Sequence, residues 1–560
     1  MNIKKPVILL LVFFISASAI FSQQELTPVD DDVYFFLKRM QVEQVIPDYN
    51  SSLLPLSRKQ VAGFLNQINN SNSISSEDRS ILNGYLVDYS FELKRNPDAV
   101  SLANNGLTGL FDKNKNKYLY YSYDSLNSLF LNGNIGISER IGNGDSLGNR
   151  KISLFDLGLK IRGTLRNTLG YYLRISNGAK LSGDSNDVNF ATYTDYKLWS
   201  SLKFRIDKSN FDSFEGYLRY SAPDDWISVW IGREQINQGF GYNDKMYYSS
   251  NTVPFDQINL SLNYDKLSYS FTFGSLKGDS LGRDIPNKII ASHRLNLNLF
   301  KTFKLGIFES VVSTQTAFSV TYLNPLSFLT SADLNSGDNT TRNNANLGFD
   351  FEYLPVKNLA LQGTLLIDDL NLKTITKNDR SYNDNKFAFQ LGVFWNNAFG
   401  LNKLAFITEY TRLDPFVYSH RSNKSTYTNW SLPLGHKVSP NSDEISLNLK
   451  YQIAKGFDMI IGYNHIRHGA GIIVDSATYR IVINYGGDIN FGEGDSKNQF
   501  KNNFLQGYRI NYNNFRIAVN YEPVKQIYLN LEAKYLLSDY IYISRKLKDF
   551  YFRGSLNITL

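Results

Sequence analysis

The chain has 560 residues, 14% of them aromatic, with 37 Tyr and 38 Phe against 5 Trp, 4 Met and no Cys, so disulfides, thiolate metal sites and an acceptor for a lipid anchor are all excluded. The formal charge of +7 falls to +5 without Lys4 and Lys5 (59 Lys and Arg less two, against 52 Asp and Glu), an excess that does not demand nucleic acid but suits an acidic polymer or lipopolysaccharide phosphates. Mean hydropathy is −0.30 and no stretch of about 18 apolar residues follows the N-terminus, which excludes a helical membrane protein but not a barrel, where only every second residue faces lipid.

Lys4 and Lys5, the apolar run Val7 to Ile15 and the small residues Ser16 to Ala19 before Phe21-Ser22-Gln23 read as a cleavable signal peptide over 1–22. From Asp30 to Leu93 the periodicity is helical. The first helix follows Asp30-Asp31-Asp32 with Val33, Phe36, Leu37 and Met40 on one face. The second opens at Ser57, with Gln60 at capping-box spacing, and carries Val61, Phe64, Leu65 and Ile68. The third starts near Ser75-Ser76-Glu77-Asp78 and presents Ile81, Leu82, Tyr85 and Tyr89. Each is too short to stand alone in water, so residues 23–112 are expected to form a periplasmic helical cap or plug.

The rest, 113–560, alternates. Between Ile258 and Phe273 the residues Ile258, Leu260, Leu262, Tyr264, Leu267, Tyr269, Phe271 and Phe273 share one face, and Asp265-Lys266 makes a two-residue turn. The pattern recurs at Leu169 to Ser176, at Glu444 to Tyr451 and in the terminal strand, where Phe550, Phe552, Leu556, Ile558 and Leu560 oppose Tyr551, Arg553, Ser555, Asn557 and Thr559. Short turns fall near Asn167, Asp265, Thr302, Pro355, Lys455 and Pro523. Longer polar segments span 178–213, 233–256, 313–343, 412–443 and 465–504. With Leu202 to Ile206 and Tyr479 to Tyr485 taken as loop excursions, the reading is an all-β, antiparallel transmembrane barrel of about 18 strands, long loops outside and both termini in the periplasm.

Candidate chemistry is sparse. Gly144-Asp145-Ser146-Leu147 and Gly278-Asp279-Ser280-Leu281 match the GDSL esterase signature, but both sit in loops between strands rather than at a strand-to-helix turn with a partnered histidine. Of His293, His420, His436, His465 and His468 only the last two are close in sequence, on strand or loop rather than a helix face, and no metal site or cofactor is expected. Asp368-Asp369 at a strand end would point to opposite faces, unlike a sugar-cleaving carboxylate pair. What remains is aromatic and amide-rich loops: Arg233 to Asn251 with Tyr242, Tyr247 and Tyr248, and Tyr418 to Trp430 with His420 and Arg421. Sugars offer apolar C–H faces and dense hydroxyls, so Arg233, Tyr242, Tyr247, Tyr248, His420, Arg421 and Trp430 are the candidate polysaccharide contacts.

The order of segments resembles the Wzi family of capsule-assembly proteins. The likeness is carried by Tyr34 to Arg39, Pro55 to Val61, Ile231-Gly232-Arg233 with Gly239-Phe240-Gly241 and Tyr248-Ser249-Ser250, then Thr321 to Phe328 with its Asn324-Pro325 pair. Asn343-Asn344, Leu347 to Asp350, Ile367-Asp368-Asp369, Tyr418, Tyr427-Thr428 and Leu434-Gly435-His436 follow in order. The resemblance implies an outer-membrane surface lectin that holds capsular polysaccharide, without catalysis and with an occluded barrel. A porin-like diffusion channel, its lumen lined by the polar inward residues, is the alternative, and a surface hydrolase using Ser146 or Ser280 the remote one.

Overall fold

The computed structural model describes residues 23–278, 287–314, 320–334, 343–370, 385–420, 423–474, 476, 481–492 and 502–560; the expected leader, Ser280 and Arg421 lie outside the described residues. Helix α1 spans Val33–Val42, α2 Arg58–Asn69, α3 Ser76–Asp88 and α4 Ser90–Lys94. The start of α2 is the expected capping box: Ser57 Oγ accepts from the Gln60 N–H at 3.2 Å while Gln60 Oε1 accepts from the Ser57 N–H at 2.9 Å. Ser75 likewise caps α3 by accepting from the Asp78 N–H. The apolar faces read from the sequence meet in one core that includes Phe36, Leu37, Met40, Val61, Leu65, Ile81, Leu82 and Tyr85.

Eighteen strands then close a wall. They are β1 Ser128–Gly144, β2 Arg150–Leu165, β3 Leu169–Ser182, β4 Asn210–Ser221, β5 Ile227–Glu234 and β6 Phe255–Tyr264. Next come β7 Leu267–Lys277, β8 Asn287–Phe300, β9 Phe303–Ser313, β10 Asn344–Val356, β11 Leu359–Asp369 and β12 Lys386–Asn396. The last are β13 Leu404–Leu413, β14 Ser442–Ala454, β15 Phe457–Ala470, β16 Tyr508–Val524, β17 Ile527–Tyr540 and β18 Arg545–Thr559. Each pairs antiparallel with its neighbour, and β18 returns to β1 from Asp549↔Gly144 to Thr559↔Asn134, so the wall has no free edge. The hairpin β6–β7 has the expected register, Tyr264 opposite Leu267 and Ile258 opposite Phe273.

The side-chain period of two sorts the wall into faces. Ile137, Leu157, Ile231, Leu391 and Ile517 are exposed on the outside, whereas Asn132, Arg294, Asp350, Glu352 and Gln390 are buried inside. Where the turns are short, Tyr264, Phe300, Tyr353, Trp395, Phe399, Tyr451 and Tyr521 form an exposed aromatic girdle, as at a bilayer interface. The long connections lie at the opposite, loop end. There Leu202–Asp207 is a helix and Ile481–Asn484 pairs with Ile472–Val474, so the first expected excursion and the described part of the second stay out of the wall.

The N-terminal part seals the turn end by bonding around the circumference. Gln24 N–H donates to Thr164 at 2.9 Å, Leu26 N–H to the Tyr217 hydroxyl at 2.7 Å, and Ser52 to Asn296 at 2.9 Å. On α1, Lys38 pairs with Glu352, and Arg39 reaches Asp78 at 2.7 Å, Gln452 at 3.0 Å and Asn396 at 3.1 Å. Lys455, in the β14–β15 turn, lies 3.2 Å from Asp32 and 3.5 Å from Asp88, and Lys525 closes on Asp88 from the β16–β17 turn. A cavity of about 560 Å³ lies between this cap and the wall, lined by Asp31, Arg58, Lys160, Arg162, Arg174 and Lys455 among others.

Of the long segment 233–256 expected outside, residues 235–254 turn into the lumen instead. Asn237–Gln238 pairs with Leu53–Leu54, and the Gly239 N–H donates to Ser52 O at 2.9 Å. Gly239 has φ +106, which only glycine adopts without strain. The Phe240 N–H donates to Asp350 at 3.0 Å, and the Tyr242 and Asn243 N–H groups donate to Glu409 at 2.7 Å each. An 18-stranded wall encloses more space than its own side chains fill, and its inward carboxylates supply the acceptors that a buried backbone needs.

Candidate functional site

The loop end is assembled on a two-residue hairpin. Thr428–Asn429 pairs with Leu432–Pro433, leaving Trp430 and Ser431 at the tip with φ of 53° and 59°. A two-residue turn of the I′ type takes two positive φ angles, and a tryptophan there costs roughly 1–3 kcal/mol of backbone strain, so its surroundings must hold it. Trp430 N–H donates to Lys277 O at 2.8 Å, and its own carbonyl accepts from Trp199 Nε1 at 2.7 Å. Asn429 fixes the base of the hairpin, donating to Val253 O at 3.1 Å and accepting from the Lys277 N–H at 3.0 Å.

Two surfaces flank this hairpin. On one side the Arg205 guanidinium stacks over Trp199 at 4.4 Å and over Trp430 at 5.5 Å, with exposed Tyr193 5.4 Å from Trp199. The side chains come from the short helices Ser185–Thr194, Tyr196–Ser200 and Leu202–Asp207 of the β3–β4 connection. On the other side lies a cleft of about 350 Å³, between Ser431 to Ser439, His468 to Ile472 and Gly487 to Phe491. Lys437, His468, Asp488 and Asn490 bring charge and hydrogen-bonding groups to it, while Pro433, Val438, Ile489 and Phe491 bring apolar surface. That mixture of flat apolar faces and polar groups suits a saccharide.

Lys437 is positioned by Asp244, 2.9 Å away. Asp244 raises the Lys437 ammonium above its ordinary range; burial opposes ionisation of Asp244, but Lys437 and His436 outweigh it and hold the carboxyl well below the usual carboxylate range. Beneath the hairpin, Tyr418 and Tyr427 stack at 5.4 Å, and their hydroxyls donate to Met246 O at 2.7 Å and Tyr247 O at 2.8 Å. The hairpin thus rests on the lumen segment, which in turn pairs with the N-terminal part at Ser52 to Leu54.

Six of the seven candidate contacts, all but Arg421, lie among the described residues, and they separate in space. Trp430 stands at the hairpin tip, and His420, half-buried, lies 3.3 Å from Ser425. Arg233 points outward at the top of β5, paired with Asp256 at 2.5 Å and stacked on Phe214 at 4.1 Å. Tyr247 and Tyr248 are buried in the lumen, with hydroxyls on His293 O at 3.3 Å and Ser292 at 2.8 Å. The Tyr242 ring packs on Phe394, also inside the barrel. Tyr193, Trp199, Arg205 and Lys437 were not singled out by the sequence, although Trp199 is one of only five tryptophans. Ser146, in the β1–β2 turn, donates to Asp549 on β18, and Asp368 accepts from the Tyr418 N–H at 2.6 Å; among the described residues no cluster of three metal-binding side chains occurs.

The sequence profile of capsule assembly protein Wzi matches residues 155–535. The fold is similar to that of Wzi of Escherichia coli, described as an outer-membrane, carbohydrate-binding β-barrel involved in group 1 capsule assembly, with 12% identity, a TM-score of 0.56, and 95% of this chain and 99% of that one covered. Weaker similarity extends to OprD of Pseudomonas aeruginosa, with 9% identity, a TM-score of 0.43 and coverage of 77% and 95%. No curated protein matches by sequence alone. The matched profile spans more than two thirds of the residues and the closed wall agrees with it, so the chain belongs to the Wzi family of capsule assembly proteins.

Proposed function

We propose that the protein is a non-enzymatic outer-membrane lectin that binds capsular or other surface polysaccharide at its loop end and retains it on the cell. The observation that carries this reading is the Trp430 hairpin, a strained turn held rigid between an aromatic and guanidinium face and a polar cleft, on a barrel whose lumen is filled from the cap upward. Trp430 and Trp199 would stack on sugar C–H faces, and Lys437, with Asp488 and Asn490, would bind hydroxyls or an acidic substituent. In this reading residues 1–22 are the leader, 23–112 the periplasmic cap and 113–560 the barrel, with the loop end outside and both termini in the periplasm.

A deletion strain tests it. Cells without the protein are expected to shed polysaccharide into the medium while making normal amounts of it, and the Trp430→Ala chain is expected to restore attachment only in part. Unchanged attachment in the deletion strain would overturn the assignment. The bonds from the cap to the wall argue against a diffusion channel, which would need a continuous water path.

A further inference from the structure

The outward face of a lipid-facing wall should be apolar, yet the middle of β8 and β9 breaks the rule. Outward positions on β8 are Asn287, Ile289, Ala291, His293, Leu295, Leu297 and Leu299, placing His293 at the centre. Directly opposite on β9 is Glu309, in the outward series Phe303, Leu305, Ile307, Glu309, Val311 and Ser313. Tyr269, outward on β7, brings its hydroxyl 3.0 Å from His293 Nδ1. A carboxylate, an imidazole and a phenol at mid-wall would be costly against hydrocarbon.

They do not meet it. The part of the β9–β10 connection described over 320–334 folds back down the outside of the barrel and covers them. Both Glu309 oxygens accept backbone N–H groups from it, Leu329 at 2.9 Å and Thr330 at 3.2 Å, and Tyr269 donates to Pro325 O. Tyr322 and Leu329 pack on Ala291 and Val311, each only 1% exposed although they belong to the outward rows. On the far side of this strap Leu326 is 84% and Phe328 55% exposed, directed away from the wall.

We propose that 320–334 is a strap embedded in the membrane, whose Leu326 and Phe328 contact lipid acyl chains. The lipid-facing rows continue beside it: Phe349, two residues nearer the turns than Glu309's partner Leu347, is exposed, as is Leu365 opposite it on β11. A strap flush with those rows meets the same solvent. Its inner side bonds Glu309 and Tyr269, while its outer side presents Leu326 and Phe328 beside exposed Thr321 and Asn324, and Asn324 accepts the Leu326 N–H at 3.0 Å; two large apolar side chains turned outward are what an element lying against lipid offers. The proposal rests on the wall facing lipid and not on the sugar reading, so either can fail alone.

The absence of cysteine makes the test direct. A nitroxide on Leu326→Cys in the full chain, reconstituted in phospholipid vesicles, is expected to collide readily with oxygen and hardly with a nickel chelate, matching a reference label on lipid-facing Leu531→Cys. Nickel accessibility like that of a label on the loop-end residue Tyr193→Cys would overturn the proposal. So would shielding from both reagents, which would mean a protein partner or second copy on this face. The Leu326 side chain packs on nothing beneath it, so its substitution leaves the fold intact. A second chain carrying Glu309→Leu is expected to free the strap, sharpening the label spectrum and admitting the nickel chelate, and an unchanged spectrum would count against docking through Glu309.

Discussion

Replacing Asp350 by Ala should loosen the lumen segment from the wall. Asp350 on β10 accepts two hydrogen bonds from Arg294, at 2.9 and 2.8 Å, and a third from the Phe240 N–H at 3.0 Å, and neither charged side chain of the pair is exposed. The substitution strands a buried guanidinium, which costs about 3–5 kcal/mol, more than the pair itself contributes, because the unpaired charge stays desolvated. Urea unfolding of the purified protein in lipid vesicles would read this as a lower midpoint at unchanged slope. The double variant Arg294→Met with Asp350→Leu removes both charges at similar volume and should regain most of the loss. Gly306 lies opposite Asp350, where an added Cβ would come within 2.0 Å of a carboxylate oxygen, so Gly306→Ala should also destabilise the wall. An Asp350→Ala cost below about 1 kcal/mol, or a double variant as weak as the single, would refute the reasoning that this buried pair anchors the segment.

Ser57→Ala removes the acceptor for the Gln60 N–H and should cost about 1 kcal/mol of cap stability, read by hydrogen exchange across α2. Burial and neighbouring Asp32 push the Asp31 carboxyl up to about 7. A raised carboxyl gives stability that is full below its unfolded pKa near 4 and lost as the pH rises toward 7, so Asp31→Asn should stabilise at pH 8 by about 1–2 kcal/mol, discounted for its half-buried position, and change little at pH 4. The intact protein should carry no steady current across a planar bilayer; current through the intact chain would favour the channel reading.

Local order was legible in the chain. The Ser57–Gln60 spacing, the apolar stripe of α1 and the two-residue turn at Asp265-Lys266 depend on neighbours within a few residues, and each stands where the sequence puts it. The inward turn of 235–254 was not legible, since its acceptors, Asp350 and Glu409, lie over a hundred residues away. Tyr247 and Tyr248 therefore read like surface aromatics until the wall closes around them. The strap did leave a trace: Glu309 falls in the lipid-facing phase of β9, a charge where the period of two demands an apolar residue. The loop-end surface gathers Trp199, Arg205 and Trp430 from two connections, which no local spacing joins.

The most direct measurement is the affinity of the purified full chain for the producing cell's own surface polysaccharide, with and without the Trp430→Ala substitution. Saturable binding that weakens about tenfold in the variant, the loss of roughly 1.4 kcal/mol of ring contact, is the predicted result. No binding by the unsubstituted protein, or equal binding by both, would contradict the account.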